Sequence, residues 1–315
     1  MPLELTKKSL LAELASVERL LEEARSINDI VGINQYEHRV AEIKEKLKEI
    51  DKKVNKRASV ALFFAGEPVF GSRGIMAEFA GIILKEFNDI INRVQAVEVL
   101  GELGSRGKIP EVGESNLMIT QITRGSFGFV LDELTNQQPM FETPLKRTVD
   151  IVSNIIEKTA SVDDSEFEKI LPDLDGRSLI SLRNFFKIMH KRKANLRVVE
   201  GKKDFFLDEK AIHRALIRTE STSIKEETTL IEGILLGFLP EHKKFEFRTT
   251  NNELIYGSVS KDAVEQYYSY IKQGITPINM NWVIKVDERL IKPLNRKEKV
   301  VYRLISFDEQ YSKNA

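Results

Sequence analysis

Two copies of the tetrapeptide Gly-Ser-Arg-Gly, one at Gly71, Ser72, Arg73 and Gly74 and one at residues 104–107, carry residue types suited to holding an anion. A glycine loop opening onto a helix N-terminus offers unpaired backbone N–H groups and a positive dipole end, and many proteins hold phosphate this way. The first copy precedes a strongly periodic apolar run, Met76, Phe79, Ala80, Ile83, Leu84, Phe87, Ile90, Ile91 and Val94, which predicts that helix. Neither the Walker pattern nor the three-glycine dinucleotide pattern is present, so Ser72 as an ordinary helix cap is the plainer reading. The flanks of the two copies also differ. Residues 75–78 run into a helix, whereas Lys108, Ile109 and Pro110 lead into a loop ending near Gly113. The copies are not a duplication, yet two loops can still converge Arg73 and Arg106 on one phosphate-bearing ligand.

A second kind of chemistry is electrostatic. Asp163, Asp164, Glu166, Glu168, Asp173 and Asp175 precede a stretch in which Glu200 is the one acid between Arg177 and Lys203. Leu179, Leu182, Phe185, Phe186 and Met189 define the buried side of a helix there. Its outer side is cationic, through Arg183, Lys187, Lys191, Arg192 and Lys193. Such a face fits a phosphate backbone, because each neutralised phosphate releases counterion and makes binding salt-dependent. A match with the acidic segment just before it is the competing reading.

A third candidate lies near the C-terminus. Phe245, Phe247, Tyr256 and Trp282 have the chemistry of base-stacking platforms, with Lys243, Lys244, Arg248, Arg289, Arg296 and Lys297 nearby. Alternating aromatics in a small barrel also fill its interior, and basic side chains also serve as plain solvated surface. Catalytic constellations are missing from the pattern. His38, His190, His213 and His242 stand apart with no metal-ligand spacing, and no nucleophile-elbow motif accompanies any serine. The acidic pairs lack the spacing of a calcium loop or a glycosidase pair. With no cysteine in the chain, disulfides, thiolate zinc sites and cysteine nucleophiles are excluded. No catalytic residue, cofactor or metal site is therefore expected.

The elements that must position these residues fall into four segments. In residues 1–56, Leu10, Leu14, Val17, Leu21 and Ala24, then Tyr36, Val40, Ile43, Leu47, Ile50 and Val54, form two heptad stripes interrupted by Gly32, with Asn28, Asp29 and Asn34 around the break. They predict an antiparallel helical hairpin whose apolar stripe needs a partner, either the same chain or a second copy. Residues 57–160 read as a mixed α+β region: a wholly apolar strand at 60–64, the helix after Gly74, a hairpin of 117–123 with 127–133 around Arg124, Gly125 and Ser126, and a helix at 145–158. Residues 161–222 read as a mainly helical charged region with a ribbon of 195–199 and 203–207. Residues 223–315 show five strand patterns with one helix after the third, at 261–272, closed by Gly274 and Pro277. That order is the order of a five-stranded OB/SH3-like small barrel, and residues 287–298 read as its charged loop. The whole is α+β, since its strands and helices do not alternate as repeated units.

Composition bounds the function. The 315 residues carry 48 basic and 48 acidic side chains, so a polyanion site must be local. No apolar run is long enough to span a bilayer and the first residues lack a secretory layout, which predicts a cytoplasmic protein with no membrane contact. The leading expectation is non-catalytic binding of DNA or RNA through the basic helix and the barrel. The alternatives are an enzyme or sensor for a phosphate-bearing small molecule at residues 71–74, and a protein-interaction adaptor using hairpin and barrel, with self-association through the hairpin.

Overall fold

The computed structural model describes residues 2–52, 55–100, 117–123, 127–135, 139–292 and 298–310. The protein is α+β, with an N-terminal helix pair and a closed five-stranded barrel at the C-terminal end. It divides into two compact units. Met1–Ile91, Gly113–Glu157 and Ile188–Ile212 form the first; Asn92–Val112, Lys158–Lys187 and His213–Ala315 form the second.

The first unit begins with the helical hairpin, α1 (Leu3–Ser26) and α2 (Ile30–Lys52). Val17, Leu21, Ala24 and Ile43 are buried between the helices, as the heptad stripes predict. Asn28 and Asp29 stand at the break as expected, but Gly32 does not. The break is short. It falls at residues 27–29, where Asn28 takes φ 57° and Asp29 caps α2 by accepting from the Gly32 N–H at 3.1 Å. Gly32 lies inside α2, where a Cβ would come within 2.4 Å of the Asp29 carboxylate. It permits the tight turn rather than interrupting a helix.

The hairpin leads to an antiparallel sheet of β1 (Ser59–Gly66), β4 (Leu117–Thr123), β5 (Phe127–Glu133), β6 (Ala194–Glu200) and β7 (Lys203–Leu207), in the order β4-β5-β1-β6-β7. The two-residue strands β2 (Val69–Phe70) and β3 (Gly74–Ile75) form a separate ribbon. The β6–β7 ribbon read from the sequence is not isolated, because β6 pairs along all of β1 from Val60 to Gly66. β1 is buried on both faces, which explains its unbroken apolar run. On one face Phe64 meets Phe79 of α3 (Ala77–Leu100) edge-on at 5.5 Å. On the other, Ala61, Phe63, Val130 and Val199 form a cluster against which Leu5 of α1 packs. Beside Leu5, Lys8 pairs with Asp204, which also accepts from Arg197 Nε and Nη2 at 2.8 and 2.6 Å. The first turns of α1 thus dock on the sheet of the same chain through Leu5 and Lys8.

Helix α4 (Pro144–Ala160) starts with proline in its first turn and Thr143 as cap, whose hydroxyl accepts from the Lys146 N–H and donates to buried Glu133. This start places Lys146, with a side chain only 8 % exposed, against Glu200 at 2.6 Å and against Asp150. One ammonium cannot fully balance two ionised carboxylates, and of the two Glu200 is the buried one while Asp150 is partly open to solvent. Burial pushes the Glu200 carboxyl up to about 7, with Asp150 adding to the rise and Lys146 opposing it.

The second unit holds α5 (Asp164–Ile170), most of α6 (Gly176–Lys191), most of α7 (Glu209–Ser221) and the barrel. Its strands are β8 (Ser223–Leu239), β9 (Lys244–Thr249), β10 (Leu254–Val259), β11 (Asn281–Lys292) and β12 (Lys299–Gln310), with α8 (Lys261–Lys272) between the third and fourth. They close in the order β10-β12-β11-β8-β9, with β10 and β12 parallel and every other pair antiparallel. This is the OB order: first, second, third, fifth, fourth and back to the first. Leu235, Phe245, Phe247, Trp282, Ile284 and Leu304 fill the interior. Ser260 caps α8 by accepting from the Ala263 N–H at 3.0 Å, and Tyr267 of that helix stacks on Phe238 at 4.2 Å. Residues 287–292, read as loop, belong to β11. Arg289 is buried there, 3.4 Å from Glu226.

The charge cluster on α4 yields a pH prediction. Glu200 holds a proton in the fold that the unfolded chain releases from its ordinary value of 4.5 upward. Its stabilising contribution is complete below that value and is lost as pH rises through about 7. Urea unfolding at a series of pH values should show this fall, and Glu200→Gln should flatten it. Lys146→Met leaves two carboxylates without their cation and should cost about 3 kcal/mol at pH 7 or above.

Candidate nucleic-acid interface

Period-2 alternation decides which barrel side chains can meet a ligand. On β9, Phe245 and Phe247 point inward and are buried, while Lys244, Glu246 and Arg248 face outward. On β10, Ile255 and Val259 are buried, while Leu254 and Tyr256 are exposed. Phe247, at 0 % exposure, is core and not a stacking platform, because a ring filling a closed barrel has no free face. Trp282 is likewise interior, with Nε1 donating to the Pro277 carbonyl at 3.0 Å. Of the four candidate aromatics, Tyr256 alone is open to solvent, at 74 %.

The strand register builds a site around it. Tyr256 stands opposite Glu246, Leu254 opposite Arg248, and Ser258 opposite Lys244. Arg248 and Lys244 are therefore the diagonal neighbours of Tyr256, within reach of long side chains. On the adjacent strand, Leu239 pairs with Lys244 and Ile234 with Arg248, while Gly237 lies beside Glu246 and leaves that position flat. The result is an exposed ring between two cations, bordered by apolar Leu239 and Leu254, with one carboxylate directly across from it. A base can stack on the ring while its phosphates meet Lys244 and Arg248. Glu246, Gly237 and Leu239 are not among the site residues the sequence suggests. The same alternation that places the phenylalanines inside would have found Glu246.

The basic helix is less available than its sequence implies. Arg183 donates to the Thr219 carbonyl at 3.0 and 2.7 Å and to the Thr222 carbonyl at 3.2 Å, closing the C-terminal end of α7. Arg192 pairs with Glu78 at 2.9 Å and Lys193 with Glu67 at 2.6 Å. Both pairs lie at the surface and are individually weak, but they neutralise local charge. Lys187 and Lys191 remain exposed, one helical turn apart on α6. The acidic segment is satisfied elsewhere. Asp163 caps α5, Asp175 caps α6, Glu166 pairs with Lys158 and Lys169, and Asp164 pairs with Arg218.

Gly71, Ser72 and Arg73 form the turn of the β2–β3 ribbon, with the Arg73 N–H donating to the Phe70 carbonyl at 3.1 Å. α3 starts only at Ala77, its first N–H-to-carbonyl bond accepted by Met76. Neither the phosphate loop nor the Ser72 cap is therefore present in the form expected, since Gly74 is a strand residue and the helix end lies beyond it. The Arg73 guanidinium instead stacks over the Phe70 ring at 4.4 Å. Arg106 lies outside the described residues, as do Arg296 and Lys297 of the barrel loop. Among the described residues no group of three or more His, Asp or Glu side chains can hold a metal, and no helix is long and apolar enough to cross a membrane.

The inward and outward assignments predict opposite outcomes for two aromatic truncations. Phe247→Ala should cost about 3 to 5 kcal/mol of stability, the usual range for a fully buried Phe. Tyr256→Ala should stay within about 0.5 kcal/mol, as surface substitutions do. Chemical denaturation of both variants checks this, and a large loss at Tyr256 would remove it from the surface. No protein-family model, curated protein or solved structure matches the chain, which leaves the geometry itself as the ground for a function.

Proposed function

We propose that this chain is a non-catalytic nucleic-acid-binding protein that lays a single strand of DNA or RNA across the β9–β10 face of its barrel. The observation that carries the reading is Tyr256, an exposed ring with Lys244 and Arg248 as diagonal neighbours. Stacking is sequence-tolerant because every base has a π-face, and the two cations supply phosphate contacts. Lys187 and Lys191 add sequence-independent attraction. The chain's zero net charge and Glu246 keep the affinity modest and the footprint short. The reading carries with it a cytoplasmic setting, where such strands are accessible.

A second reading, a protein-interaction adaptor, is favoured by one feature. Ile27, Ile30 and Val31 are exposed around the turn of the helical hairpin, where a protein groove would cover them. No such feature favours a phosphate-bearing small molecule at residues 71–74.

Fluorescence anisotropy with labelled single-stranded DNA and RNA at two salt concentrations separates these readings. The two cations of the β9–β10 face meeting phosphate correspond to a log–log salt slope of about −1.4 on a single strand. Tyr256→Ala should weaken binding by about 1 to 3 kcal/mol with the fold intact, and Arg248→Ala should reduce the slope by about 0.7. Absence of affinity for either strand at low salt would overturn the proposal in favour of the adaptor.

A further inference from the structure

We propose that β4 pairs edge to edge with β4 of a second copy of this chain, joining two five-stranded sheets across a two-fold axis. In the barrel, residues 223–232 of β8 pair with β11 alone, and Lys225, Glu226 and Glu227 blunt that edge with charge; among the described residues the free edges of the open sheet belong to β4 and β7. An edge strand presents unpaired N–H and C=O groups that template another strand, and proteins usually blunt such edges with charge or proline. β7 is blunted by Lys203 and Asp204. β4, with the sequence LMITQIT, has neither charge nor proline, and Met118, Ile119 and Ile122 are 51, 54 and 59 % exposed.

The strand is also complementary to itself. Its pairing with β5 shifts register between Ile119 and Gln121, a bulge at Thr120. Ile119 and Ile122 therefore share the face of Leu131 and Phe129, while Met118, Gln121 and Thr123 share the face of Asp132 and Val130. Thr120 donates to Asp132 and belongs to that second face. A two-fold between Thr120 and Gln121 sets Ile119 opposite Ile122 of the second copy, and Ile122 opposite its Ile119. Thr120 then meets Gln121, and Met118 meets Thr123. Apolar side chains face apolar ones on one surface, on the other the one polar pair is Thr120 with Gln121 beside Met118 with Thr123, and no charges are opposed. Those matched pairs favour a second copy over an unrelated strand.

Sedimentation velocity on the full chain should show a concentration-dependent dimer. Replacing Ile119 and Ile122 together by Lys, or together by Glu, opposes like charges at the two-fold and should weaken self-association by about a hundred-fold in either variant. An equimolar mixture of the two should associate again, because each Lys then meets a Glu. Hydrogen exchange on the unmodified protein gives an independent reading: amides of residues 117–123 should become protected as concentration rises. Circular dichroism reports whether the variants fold, and if they do not, the exchange result decides alone. A monomer at about 100 μM, where even weak specific dimers form, overturns the proposal. So does a dimer that survives both substitutions, or one without added protection at β4.

Discussion

The short parallel pairing of β10 with β12 is the constraint on which the exposed β9–β10 face depends. It spans Gly257–Val259 against Tyr302–Leu304 and closes the barrel. Closure demands close approach: a Cβ on Gly257 would lie 1.8 Å from the Tyr302 carbonyl oxygen. Once the barrel is closed, each strand has one dry face and one wet face, and a slip of one residue would exchange them. The same register that buries Phe245 and Phe247 therefore exposes Lys244, Arg248 and Tyr256. The face is specified by the core behind it, and its rigidity is that of the barrel rather than of a loop.

A comparable rule organises the β6–β7 hairpin of the first unit, where alternation sends two carboxylates to opposite faces of the sheet. Glu200 faces α4, is buried with Asp150 as neighbour, and resists ionisation. Asp204 faces α1, where Arg197, assisted by Lys8 and opposed by burial, holds its carboxyl down at about 2. The two respond to pH with opposite sign. Asp204 contributes above its ordinary 3.8 and loses that contribution as pH falls toward about 2, whereas Glu200 loses its contribution as pH rises through about 7. Between those limits both faces of the hairpin are satisfied, so helix docking on the two sides of the sheet is best supported in the mildly acidic range.

Much of this fold was legible in the sequence because burial writes a period into it. The helix pair, the apolar β1, the β4–β5 hairpin and the five barrel strands each follow from apolar spacing and turn residues. What was not legible has identifiable causes. β8 runs for 17 residues, yet its first half alternates partly buried residues with exposed Ser, Lys and Glu, which reads as a polar connection. Arg289 looked like a loop cation because its partner Glu226 lies on another strand, which spacing along the chain cannot show. Arg192 and Lys193 meet acids more than a hundred residues away, so a basic stretch looked freer than it is. The Gly-Ser-Arg-Gly turn misled for a local reason. Gly71 supplies φ +54° for a two-residue ribbon, a use of glycine that sequence alone does not separate from a phosphate loop.

The two β structures solve the edge problem differently, and the difference bears on how each can recognise a partner. The barrel joins β10 and β12, and β9 pairs with β8 on one side and β10 on the other, so on the β9–β10 face side chains rather than free backbone groups are left to make contacts. The recognition proposed there is by ring and charge, which tolerates many ligands of one chemical class. The open sheet leaves β4 with one row of backbone groups unpaired, and backbone pairing demands an extended strand in a fixed register. If both proposals hold, tolerance resides in the barrel face and selectivity at the sheet edge, because the first is built from separate side chains and the second from a ladder that fits only in register.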